Sequence, residues 1–115
     1  MSEFTIGVRG LEEALQRLEI KATRLRKELQ ALLHQSAERV VGNAKALAPV
    51  RTGHLMDSIR ILGEGDLEVT VGSEVEYAGY VEYGTSRMPA RPYLRSAIAL
   101  ERENLVKALQ ALAAT

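Results

Sequence analysis

A few residues in this sequence have types and spacing that could do chemistry. His54, Asp57 and Ser58 fall within five positions. A hydroxyl, a base and an orienting acid are the parts of a nucleophilic triad. A triad needs convergence in space, which closeness along the chain does not supply. Short polar residues on a surface turn are the simpler reading of Asp57 and Ser58. Glu74 and Glu76 could act as general acid and base, but on an alternating strand they share one solvent face. There are two histidines, His34 and His54, and no cysteine. A metal site needs three or four converging ligands, and the histidines belong to different elements. Gly63 and Gly65 are each followed by an acid, which repels phosphate, so they do not form a phosphate cradle. The sequence therefore reads as a chain without catalysis, bound metal or cofactor.

Charge is placed unevenly. Formal net charge is zero. Between Arg17 and Lys27 stand five bases (Arg17, Lys21, Arg24, Arg26, Lys27) and one acid, Glu19. Between Ile61 and Ser86 stand six acids (Glu64, Asp66, Glu68, Glu74, Glu76, Glu82) and no base. Arg17, Lys21, Arg24 and Lys27 step by four, three and three, so on a helix they form one stripe. A neutral molecule with opposed charged regions suits contact with a copy of itself, basic patch against acidic patch. Two separately solvated faces are the plainer alternative. The stripe also admits a small DNA-binding protein, although zero net charge and the lack of interleaved aromatics weigh against it.

The elements that must position these groups follow from periodicity. A length of 115 residues, 46% of them hydrophobic, predicts a single domain over 1–115 with a modest core. Four Tyr, one Phe and no Trp make that core aliphatic. No run approaches the roughly 18 apolar residues of a membrane span, and the N-terminus lacks a signal-peptide pattern, so a soluble, unexported protein is expected. Phe4, Ile6 and Val8 alternate as a short strand that Gly10 ends. Leu11, Leu15, Leu18, Ala22, Leu25, Leu29 and Leu32 mark a helix; Leu33, Ala37, Val40, Ala44 and Leu47 continue it one position over. Pro49 stops it. Such a helix would span roughly 55 Å, against a radius of gyration near ~13 Å for a compact domain of this size. It must bend near His34–Ser36, rotate its stripe, or project from the globule. Thr52 is the expected N-cap of a short helix with Leu55, Met56 and Ile59 on its apolar side. Ile59–Leu62 and Leu67–Gly72 predict an antiparallel hairpin, closed by Gly63–Asp66 with glycines at positive φ. Ser86–Arg91 reads as a surface loop. Pro92 opens a C-terminal helix carrying Leu94, Ile98, Leu105, Leu109 and Leu112.

The stretch EYAGYVEYGT, Glu76–Thr85, holds three of the four tyrosines, Tyr77, Tyr80 and Tyr83. Ala78 and Gly79 are small where a backbone must pass close to something. Gly84 suits a left-handed cap after a short helical turn. Glu82 can accept from backbone N–H groups or pair with Arg91. The tyrosines either fill an aromatic-poor core or serve an interface. The expectation is that the segment holds shape and fixes the exit into the loop of Arg87, Met88 and Arg91, which contacts a neighbour. Glu74, Glu76 and the basic stripe are the other interface candidates.

Three blocks then carry a resemblance. APVRTGHLMDSI, Ala48–Ile59, follows the pattern A-P-x-x-T-G-x-L-x-x-S-I through Pro49, Thr52, Gly53 and Leu55. YAGYVEYGT follows Y-A-x-x-x-E-[FY]-G-T through Tyr77, Ala78, Glu82, Tyr83, Gly84 and Thr85. ARPYL, Ala90–Leu94, follows A-x-P-[FY]-[LM] through Pro92 and Tyr93. In this order and spacing they resemble the small tail-component proteins of siphophages and prophages, the tail-completion or head–tail joining family. With the leading helix the resemblance covers nearly the whole chain; Arg51 departs from it, standing where the family commonly has an acid. It implies an α+β fold, a small antiparallel β-sheet packed against a long N-terminal helix and a C-terminal helix. It implies a non-catalytic subunit of an oligomeric ring, near six-fold, at the neck of a virion assembled in the bacterial cytoplasm. The implied partners are copies of itself, the head connector and the tail tube, with DNA only as passing cargo and no membrane, cofactor or substrate. A tail terminator that caps the tube is the runner-up. The acidic stretch could line a bore that DNA slides through, or face the basic stripe of the next subunit.

Overall fold

The computed structural model describes residues 2–7, 22–49, 53–65 and 67–113. Its elements are β1 (Ser2–Gly7), α1 (Ala22–Leu47), α2 (His54–Ser58), β2 (Arg60–Gly65), β3 (Glu68–Ser73), α3 (Ala78–Tyr83) and α4 (Tyr93–Ala113). This is an α+β arrangement: an antiparallel sheet, a long helix and a C-terminal helix. The expected positions Val8, Gly10, Leu11, Leu15, Leu18, Arg17, Lys21, Thr52 and Asp66 lie outside the described residues.

The sheet has three strands in the order β1-β3-β2, both pairs antiparallel. β3 is central, and on it Val69, Val71 and Ser73 are buried while Glu68 is exposed. In the β1 register Phe4 stands opposite Val71 and Ile6 opposite Val69. The hairpin is present, but its turn is shorter than expected. β2 runs on to Gly65, with Gly63 opposite Thr70 and Gly65 opposite Glu68. Neither glycine has positive φ; within the described part of the turn, Leu67 does, at 59°. A left-handed non-glycine residue costs about 1–2 kcal/mol. Burying a leucine contributes about 1.5–3 kcal/mol, and Leu67 is 4% exposed, so burial wins. Between Ile61 and Gly63 the β2–β3 register shifts, leaving Leu62 as a bulge.

α1 runs unbroken through His34–Ser36. Leu29, Leu33, Ala37, Val40, Ala44 and Ala48 form the buried row. Leu47, expected in that row, is exposed, and Ala48 takes its place. Ala48 donates to the Ala44 carbonyl at 2.8 Å; Pro49 has no N–H to continue the ladder.

α4 packs on α1 and α3; its Tyr93, Leu94 and Ala97 join the core, with Ile98, Leu105, Leu109 and Leu112 partly covered. One polar network sits in this helix interface. The buried Glu101 accepts from Arg39 Nε at 2.7 Å and from Ser36 Oγ at 3.2 Å. Such a pair adds little net stability by itself, but losing one partner strands the other, so it fixes where α4 lies along α1. The principal extents are 52 × 23 × 21 Å and the radius of gyration is 16.0 Å. The molecule is thus longer than a compact domain of its size.

α2 begins after Gly53, not Thr52: Gly53 holds the N-cap position at φ 74° and accepts from Asp57 N at 2.9 Å. Leu55 and Ile59 anchor α2 in the core. Ser58 Oγ lies 2.6 Å from both the Leu55 carbonyl and Ser73 Oγ, and Ser73 Oγ accepts from Val75 N at 3.1 Å. The hydroxyl that sequence offered as a nucleophile thus ties α2 to the end of β3.

Candidate functional site: a buried carboxylate under an exposed aromatic face

α3 has two faces. Ala78 and Glu82, one turn apart, are buried. Tyr77, Tyr80 and Tyr83 are 38%, 61% and 59% exposed. Core filling by these three tyrosines is therefore corrected: only Tyr93 is buried, its hydroxyl directed at the Ala78 carbonyl at 3.4 Å. The physical reason lies in the length of α3. Six residues offer one narrow inward face, and alanine and glutamate occupy it.

Glu82 is fully buried yet ionic, so its partners must replace water. Its Oε1 accepts from Leu94 N at 2.8 Å. Its Oε2 accepts from Arg95 N at 3.1 Å and Arg95 Nε at 2.9 Å. Arg95 Nη2 also donates to the Glu82 backbone carbonyl at 2.8 Å. The carboxylate therefore caps the first turn of α4, where free N–H groups and the helix dipole both favour a negative charge. The expected partner Arg91 is replaced by Arg95. Arg91 instead donates its backbone N–H to the Val81 carbonyl at 2.8 Å. The Arg95 guanidinium also lies 4.8 Å from the Tyr83 ring centroid, a cation–π contact that holds one exposed ring in place.

Gly84 completes the knot. It has φ 78° and donates to the Tyr80 carbonyl at 2.8 Å. A Cβ there would stand 2.7 Å from Ala90 N and 2.9 Å from the Met88 carbonyl. Positive φ and a touching backbone both require glycine. Beyond it, Thr85 and Met88 exchange backbone hydrogen bonds, and Arg87 N donates to Thr85 Oγ1 at 3.2 Å. Ser86–Arg91 is thus a tight, pinned turn whose side chains all face solvent. Pro92 stands immediately before α4, one residue ahead of the first helical position.

The remaining candidates scatter. Arg24 falls in the first turn of α1 and Lys27 is exposed on the same helix. Glu74 pairs with Arg60 at 3.1 Å, both more than half exposed, an arrangement worth little. Glu74 and Glu76 lie after β3, not on it. His54 approaches the Tyr77 ring, centroids 6.3 Å apart. His34 joins α1 to β2: Nδ1 meets Glu64, and Nε2 is 3.0 Å from Glu38. The hydrogen bond His34 donates to Glu64 is the main cause that raises its pKa above 6.5, with burial opposing and Glu38 adding. Arg95, Glu101 and His34 were missed in the sequence. A base four positions after Arg91 was the one available signal for Arg95; no signal marked the other two. Among the described residues no cluster of His, Asp or Glu could hold a metal ion. No described helix is long and apolar enough to cross a membrane.

These features define a class: a small α+β protein whose polar groups lock one turn and whose α3 tyrosines are exposed, a build suited to contact with other macromolecules. Residues 9–84 match the family described as "Bacteriophage HK97-gp10, putative tail-component", and the chain belongs to that family of phage tail components. That membership gives it a structural role in a bacteriophage tail, among other tail and virion proteins. No curated protein and no solved structure matches the chain significantly.

Proposed function

We propose that the chain is a subunit of the neck or tail end of a tailed phage, assembling as a ring that joins the tail to the head. One observation carries this reading within the tail-component family. Three tyrosines and Met88 stand exposed on a segment held rigid by the ion pair of buried Glu82 with half-exposed Arg95 and by a sterically required glycine. Large apolar groups preorganised in this way lose little entropy on docking, which is what a permanent joint between protein surfaces needs. The Glu82–Arg95 knot supports the surface and takes no part in contact itself.

The test is a phage or prophage with the gene deleted. Tails of normal length that fail to attach to filled heads are the expected result. Overlong tails would instead make the chain the terminator that caps the tube. Tailed, infectious particles in the absence of the protein would end both readings. Native mass spectrometry of the full chain, with and without purified tail tubes, reads the ring and its copy number.

A further inference from the structure

A cleft of about 400 Å³ opens between α1 and the β2–β3 hairpin, lined by Gln30, Leu33, Glu64, Gly65, Glu68 and Val69. Its floor is apolar, since Leu33 and Val69 belong to the core, and two carboxylates stand at its wall. They are not equivalent. Glu64 is held by His34. Glu68 is exposed, and among the described residues no donor meets it. An apolar floor with an unmatched carboxylate fits a guest with an alkyl stem and a cationic head.

The same chain presents such a guest. The Thr85–Met88 turn is short and closed by reciprocal backbone hydrogen bonds, with Ser86 and Arg87 at its tip. The Arg87 side chain is exposed and unmatched among the described residues, and Arg91 follows it, also exposed. The cleft lies at the Glu68 end of β3, whereas α3 and this turn follow the Ser73 end. One molecule therefore carries the two halves of a contact at separate places. That is the condition for a head-to-tail interface that closes into a ring.

We propose that the Ser86–Arg87 turn of one copy seats in the α1/β2–β3 cleft of the next, with the Arg87 guanidinium on Glu68. This rests on the ring reading and names its subunit contact. The competing cation is the basic run of α1, represented by Lys27. Arg87 is favoured because it stands on a locked turn and loses less freedom when bound.

The chain has no cysteine, which makes the test direct. Full-length Arg87→Cys and Glu68→Cys chains are mixed at ring-forming concentration, with tail tubes if native mass spectrometry shows that these are needed. A cross-link between the two variants through a short bis-maleimide, which spans the Arg–Glu separation that a disulfide cannot, at least about tenfold over either variant alone, is the expected result. In parallel, Glu68→Lys cuts ring formation about tenfold, and adding Arg87→Glu restores it. Both positions are exposed, and unchanged melting temperatures show that the variants fold. Rings that form normally in Glu68→Lys overturn the contact while leaving the ring reading intact. Restoration by Lys27→Glu in place of Arg87→Glu also overturns it and assigns the cation to α1. A wild-type chain that forms no ring under any of these conditions removes the ring reading, and this contact with it.

Discussion

At the residue scale, Glu82 and Gly84 decide whether the aromatic face exists. Glu82→Ala leaves two α4 N–H groups without their acceptor and a guanidinium without its carboxylate. Breaking a buried pair this way costs about 3–5 kcal/mol, and the half-exposed Arg95, which keeps some water, favours the lower end. Urea unfolding should therefore show an unfolding free energy lower by roughly 3 kcal/mol; a change under about 1 kcal/mol would mean that water already serves those donors. Gly84→Ala should cost at least about 1–2 kcal/mol from its φ alone, with the clash at Ala90 N added. Sequence gave the types of both residues but not all of their partners. Glu82 was legible as an acceptor for backbone N–H groups because it borders a turn. Arg91 and Arg95 could not be separated, since which arginine faces Glu82 depends on where α4 begins. Because α4 starts at Tyr93, Arg95 sits in its first turn, beside the N–H groups the carboxylate caps.

At the scale of elements, the α1–β2 contact should respond to pH. Both His34 ring nitrogens meet carboxylates, one on each element. Two acceptors can be satisfied together only by the doubly protonated ring. With its folded pKa raised above 6.5, chiefly by Glu64, His34 adds stability that is fully present below pH 6.5. That stability is lost as pH rises through the folded value. The melting-temperature gap between wild type and His34→Gln should therefore be widest in mildly acidic buffer and shrink in alkaline buffer. A gap that grows with pH would contradict the assignment. Elements were well marked where one period dominates. Val69 and Val71 alternate, Leu94 through Leu112 step by helix turns, and Pro49 ends α1. The hairpin turn was misplaced because two glycines look like a turn in sequence, while the turn is set by pairing across β2 and β3. The joint through His34 was not legible: it links positions thirty apart, and no local pattern encodes that.

At the scale of the molecule, surface and interior carry separate tasks. Among the described residues the core is aliphatic apart from Tyr93, while Tyr77, Tyr80 and Tyr83 are exposed. Replacing Tyr77, Tyr80 and Tyr83 together with serine should change folding stability by no more than about 0.5 kcal/mol per site, with Tyr83 at the upper end because of Arg95. The same triple variant should fail to enter particles when it is the sole source of the protein. Normal incorporation, read by mass spectrometry of purified phage, would place the working surface elsewhere. The sequence showed that this segment was unusual but not which way its rings point, because α3 is too short for periodicity to assign a face.

The bulge at Leu62 has a further consequence. β2 is one of the two outer strands of a three-stranded sheet, and an outer strand offers ready hydrogen bonds to any extended chain that drifts past. One surplus residue breaks the ladder's rhythm and bends that rim. Deleting Leu62 would straighten it and give the protein a route to open-ended fibrils.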